Sequence, residues 1–182
     1  MQTNKARNDL WMDLALVAFL VTLDVVARLL PHAPGFLPVA ASGLFAARTL
    51  RIPALAVLVP VLAMILSDVA LPGEDWRVQA VGFAAIAIPA VAGIATRRWS
   101  GFLPTTATMV VSSLLFFLLS NFAVWAFNGM YPMTWQGLTQ CYVAALPFLE
   151  KTMLGDLFWT GVLFGGAWLV MRTPAFARVR AH

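Results

Sequence analysis

The chain has 182 residues, of which 61% are hydrophobic and 11% charged, and its formal net charge is +4. A soluble domain carries about 25% charged residues to face water, so this chain cannot cover a globule with polar side chains, and it reads as an all-α integral membrane protein in a single domain spanning 1–182. The basic balance is not a nucleic-acid footprint, because in a membrane protein the place of each charge says more than the sum.

A bilayer core needs a helix of about 20 mostly apolar residues, with a working range of about 17–25. The polar start MQTNKARNDLWMD is not followed by a small-residue cleavage pattern, so the first apolar run, Leu10 to Leu30, is expected to stay as a helix. A short second segment covers Phe36 to Leu50 with Pro38 near its start. The third covers Ala54 to Leu71, the fourth Val78 to Thr96 and the fifth Pro104 to Phe127. Next comes a short helix from Trp135 to Leu149, interrupted by Gln136, Gln140 and Pro147 and closed by Glu150 and Lys151, which suits the membrane surface better than a span. A last segment, Thr152 to Met171, makes six expected spans.

Charge distribution orients them. With six spans and a cytoplasmic N-terminus, Lys5, Arg7, Arg48, Arg51, Arg97, Arg98, Arg172, Arg178 and Arg180 lie inside, against Arg28, Arg77 and Lys151 outside. Basic residues gather in cytoplasmic loops, so both termini are expected in the cytoplasm of a bacterial inner membrane. A seventh span would export the arginine-rich tail.

The outer side then holds the unusual chemistry. The stretch SNFAVWAFNGMYPMTWQGLTQCYVAALPF brings together Asn121, Trp125, Tyr131, Trp135, Tyr142 and the single cysteine, Cys141. Aromatic belts form at any membrane interface, and Trp11 and Trp99 fit that role on the inner side. The outer group reads better as one wall of a pocket, since pockets pair aromatic walls with a few polar groups. His32, held between prolines, forms the opposite rim with Phe36, Asp68 and Trp76.

Asp24 and Arg28 stand four apart and can pair on one helix face. Asp68 and Asp156 can bond a polar ligand, cap a backbone or pair with an arginine, because ionisable groups at membrane depth are costly unless they have a role. Cys141 can offer a thiolate to a soft metal, or can be a small buried apolar residue. Small residues such as Gly43 with Ala47, and Ala84 with Ala92, permit close helix packing. No phosphate loop, HExxH or GxSxG motif is present, so there is no motif for nucleotide hydrolysis or peptidase chemistry. The chain is expected not to be an enzyme and to hold no resident cofactor or metal, the weaker reading being a membrane enzyme with Cys141 as nucleophile and His32 as its base.

Two blocks carry a family resemblance: RLLPHAPGFLPVAASGLFAARTLRIPALAVLVPVLAMILSD and SNFAVWAFNGMYPMTWQGLTQCYVAALPFLEKTMLGDLFWTGVLFG. They resemble the two halves of small bacterial membrane proteins of the DUF6580 type, labelled only as transport proteins. That group in turn is similar to the substrate-binding S-components of energy-coupling factor (ECF) vitamin transporters. The resemblance implies a six-helix uptake protein that binds a vitamin-sized ligand, cobalamin among the options, near its outer face. It also implies a coupling protein and ATPases as partners, or none for a solitary carrier. Ala15, Ala18 and Ala27 do not make the Ala-x-x-x-Ala docking pattern of that group. The LPGEDWRVQ loop lacks the cobalt-ligating cysteine of solitary cobalamin carriers, a role that Cys141 or His32 would have to take. The alternative reading is a non-transporting scaffold that docks another protein through its outer aromatic surface.

Overall fold

The computed structural model describes residues 2–71, 73 and 75–172. Every regular element among them is helical: α1 (Gln2–Leu29), α2 (Val39–Thr49), α3 (Leu58–Asp68), α4 (Trp76–Ile86), α5 (Ile88–Ala95), α6 (Phe102–Phe127) and α7 (Trp135–Met171), with a 3-10 turn at Pro53–Val57 leading into α3.

Polar contacts at the helix ends fix how these elements run. In the N-terminal half of α1, Asp13 accepts from the backbone N–H of Arg51 at 3.2 Å and of Ile52 at 2.9 Å, just after α2, and Asp9 pairs with Arg51. Arg48 donates to the Trp99 carbonyl at 2.7 Å and Arg97 to the Leu50 carbonyl at 2.6 Å. These bonds bring the ends of α2 and α5 level with the N-terminal half of α1. At the other end of α1, Arg28 reaches the last residues of α3, and Gln79 in the first turn of α4 bonds the same carboxylate. The chain therefore passes back and forth between an arginine-rich end and an opposite end.

Length divides these passes into two kinds. Arg7–Leu29, Trp76–Ala95, Phe102–Phe127 and Trp135–Met171 make four helical stretches long and apolar enough to cross a bilayer. Six such spans were expected from the sequence; the Pro53–Asp68 stretch is shorter, and α2 has only 11 residues, or about 16 Å at 1.5 Å per residue. The short α2 is enclosed by protein: every residue from Val39 to Ala47 is buried. It packs tightly on α5, where a Cβ at Gly93 would stand 2.8 Å from both the Ala47 Cβ and Leu44 Cδ1. The expected contact through Gly43 is present, against Ala90 and Pro60, whereas Ala84 is exposed.

Two further expectations are corrected. The short helix 135–149 and the last segment are one continuous helix of 37 residues, with Pro147 inside it. At about 55 Å it outreaches a hydrocarbon core of about 30 Å. Its Gln136, Gln140, Pro147, Glu150 and Lys151 are all exposed, so none of them has to interrupt packing. The fourth segment, expected at Val78–Thr96, is present as the apolar stretch Trp76–Ala95, divided at Ala87 into α4 and α5 with Pro89 in the first turn of α5. Arg28 forms its salt bridge with Asp68 and not with Asp24; Asp24 is fully buried and accepts from Ser42 at 2.8 Å. Arg178 and Arg180 lie outside the described residues.

Candidate functional site

A cavity of about 410 Å³ is lined by residues of all seven helices and of the connection into α2. Its lining includes Arg28, Asp68 and Leu71 near the opposite end and reaches Ser112, Pro89 and Asp156 at mid-height, while none of the arginine-rich end contributes. Val39, Met64, Ile86 and Phe116 supply apolar wall. A smaller cavity of about 200 Å³ adjoins it, sharing Ser113, Phe116, Ser120 and Thr152.

The polar groups form two sets. At the rim, Arg28 Nη2 donates to Asp68 Oδ1 and Arg28 Nε to Ser67 Oγ, both at 2.6 Å, and Gln79 Nε2 donates to Asp68 Oδ2 at 3.0 Å. Both oxygens of the Asp68 carboxylate thus have a donor. Deeper in, Ser113 Oγ donates to Asp156 Oδ2 at 2.6 Å, beside Ser112 and four residues along α7 from Thr152. The hydroxyls are compatible with a long apolar helix because each can bond its own backbone one turn earlier: Ser112 Oγ donates to the Thr108 carbonyl at 2.7 Å, and Ser113 Oγ stands 3.0 Å from the Met109 carbonyl. Close packing positions the second set. Gly155 lets α7 approach the α1–α2 connection so closely that a Cβ there would stand 2.8 Å from the Gly35 carbonyl oxygen.

Of the residues singled out from the sequence, Asp68 lines the larger cavity and Asn121 the smaller. The others are placed elsewhere. Trp125 donates to the Pro132 carbonyl at 3.0 Å, closing the turn between α6 and α7. Tyr142 donates to the Leu118 carbonyl at 2.7 Å, and buried Cys141 reaches the Asn121 carbonyl at 3.4 Å, so both clasp α6 to α7. Asn121 itself donates to the Phe117 carbonyl. Trp76 and Trp135 are 70% and 84% exposed. Tyr131 is half-buried in the α6–α7 turn. His32 is exposed, with Nδ1 2.7 Å from the Leu30 carbonyl oxygen. Phe36 packs against Phe158 with the two rings tilted, flanked by Gly35 and Leu37, which do line the cavity.

Ser112, Ser113, Gln79 and Thr152 were not picked out from the sequence. A signal for the serines existed: Thr105, Thr108, Ser112 and Ser113 recur at one-turn and two-turn spacing within an apolar helix, and all are buried.

Residues 8–178 match the pattern of a family of unknown function, DUF6580. The chain belongs to that family. No curated protein and no solved structure matches it. All the cavity-lining residues, from Arg28 to Asp156, fall inside the family region, so the cavity is built from the family's own part of the chain.

Proposed function

We propose that this DUF6580 member is a membrane uptake protein that takes a small ligand into the cavity between α4, α6 and α7 and delivers it across the bilayer, in the manner of an ECF S-component. The observation that supports this is a cavity among membrane-crossing helices lined by an ion pair, an amide, hydroxyls and a second carboxylate. Such groups are expensive at membrane depth and mark ligand or ion pathways. The cavity falls at the small end of ligand pockets, which run about 300–1,000 Å³. That favours a vitamin-sized molecule of one or two rings over cobalamin, whose macrocycle and nucleotide loop need more room. With the arginine-rich end in the cytoplasm of the inner membrane, the cavity opens outward. An ECF coupling protein and its ATPases would supply energy in a shared system; a solitary carrier would work without them.

Accessibility tests this reading. In a Cys141→Ser background, Ser120→Cys places one thiol on the cavity wall. On intact cells a membrane-impermeant maleimide should label it. Gly82 lies in the α4 stripe Val78, Gln79, Gly82, Ile86 that lines the cavity, and a Cβ there meets nothing within 4 Å, so a Gly82→Trp side chain has room to fill the space and should block labelling. A thiol that reacts only after the cells are permeabilised contradicts an outward-opening carrier.

A further inference from the structure

Resting on that reading, we infer that the ligand is a compact organic cation whose protonated nitrogen docks on Asp156. The charged side chains lining the cavity are Arg28, Asp68 and Asp156. Arg28 and Asp68 neutralise each other at 2.6 Å, with Ser67 and Gln79 bonding them further. They leave no charge for a ligand to answer.

Asp156 differs. It is 4% exposed, and its carboxylate accepts one hydrogen bond, from Ser113 to Oδ2. Oδ1 has no donor among the described residues, and the side chain borders the cavity. Among those residues no cation lines that part of the wall. A buried carboxylate keeps its negative charge only with a paired cation or further donors, and a ligand ammonium at Oδ1 supplies both. Ser112 Oγ has given its proton to the Thr108 carbonyl, so its lone pairs are free to accept a second N–H. The walls of Met64, Ile86 and Phe116 suit an apolar or aromatic body behind the nitrogen. Charge sign is thus the feature the cavity selects: an anion meets Asp156 without a free arginine to offset it.

A matched set of probes separates charge from shape. Tryptamine, tryptophol and indole-3-acetate share one ring system and carry a cation, a neutral hydroxyl and an anion. Their binding to the full chain in nanodiscs is read from thermal unfolding midpoints and titrations. Tryptamine should bind most tightly, and Asp156→Asn should weaken it by about thirtyfold or more, the loss expected when one partner of a buried charge pair is removed, while tryptophol binding stays the same. Should the variant fold poorly, the wild-type ranking alone decides between cation and neutral ligand. If tryptophol or indole-3-acetate binds as tightly as tryptamine, the amine assignment is overturned and the cavity still stands as a ligand site. If none of the three binds, the assignment is overturned as well, and the uptake reading then depends on the maleimide result.

Discussion

Replacing Gly155 by alanine should damage the wall of the cavity, and the size of the effect follows from what the new methyl group meets. A Cβ at this position would stand 2.8 Å from the Gly35 carbonyl oxygen and 2.9 Å from the Phe36 Cα. Both are backbone atoms of the α1–α2 connection, so no flexible side chain can swing away. Overpacking of this kind costs about 1–3 kcal/mol, with rigid neighbours favouring the upper part. Against it stands the preference of a helix interior for alanine over glycine, roughly 0.5–1 kcal/mol. A net loss of about 1–2 kcal/mol results. Gly161, on the same helix, provides the control, because a Cβ there meets nothing within 4 Å. Gly161→Ala should therefore be neutral or slightly stabilising. Thermal unfolding of both variants in one detergent gives the comparison, at roughly 2–4 °C per kcal/mol for a chain of this size. If the two variants shift alike, the tight approach of α7 to the α1–α2 connection is not as described.

Arg28→Ala removes the donors at Ser67 and Asp68 and leaves Asp68 with Gln79 alone. Both charged side chains are partly exposed, 15% and 18%, so the loss should be about 2–3 kcal/mol, below the 3–5 kcal/mol of a fully buried pair; the double variant with Asp68→Ala should recover part of it in an unfolding cycle. Asp13→Ala deprives two backbone N–H groups of their acceptor and should cost about 2–3 kcal/mol. Arg51→Ala breaks only the surface pair with Asp9, whose arginine side chain is 51% exposed, and should change unfolding by less than about 1 kcal/mol. Trp125→Phe keeps an aromatic ring but loses the indole N–H and its bond to the Pro132 carbonyl; about 0.5–1.5 kcal/mol of stability should go with that bond, together with faster protease cleavage in the α6–α7 turn.

The passes of the chain were largely legible because hydropathy is a local signal. The fifth segment, expected from Pro104 to Phe127, is α6 at Phe102–Phe127. The continuity of α7 was not legible, since Gln136, Gln140, Glu150 and Lys151 look like breaks in a hydropathy profile but sit harmlessly on exposed positions of a long helix. The same holds for α2, whose eleven residues read as a short span until its enclosure by other helices is known. The site was legible one residue at a time. Asp68 and Asp156 stood out as charges in apolar surroundings, but their partners lie far along the chain: Arg28 pairs with Asp68 across 40 positions and Ser113 with Asp156 across 43. No local pattern encodes such pairs. The aromatic stretch drew attention through its composition, yet Trp125 and Tyr142 bond backbone carbonyls of their own helical hairpin. A tryptophan that closes a turn and one that lines a pocket have the same letter in the sequence.

The most direct measurement is native mass spectrometry of the protein released from membranes, wild type beside Gly82→Trp. A ligand site predicts a small-molecule adduct on the wild type that is missing from the filled variant, and the adduct mass identifies the ligand. Wild-type protein that leaves the membrane at its bare mass, indistinguishable in occupancy from Gly82→Trp, contradicts a cavity built to hold one.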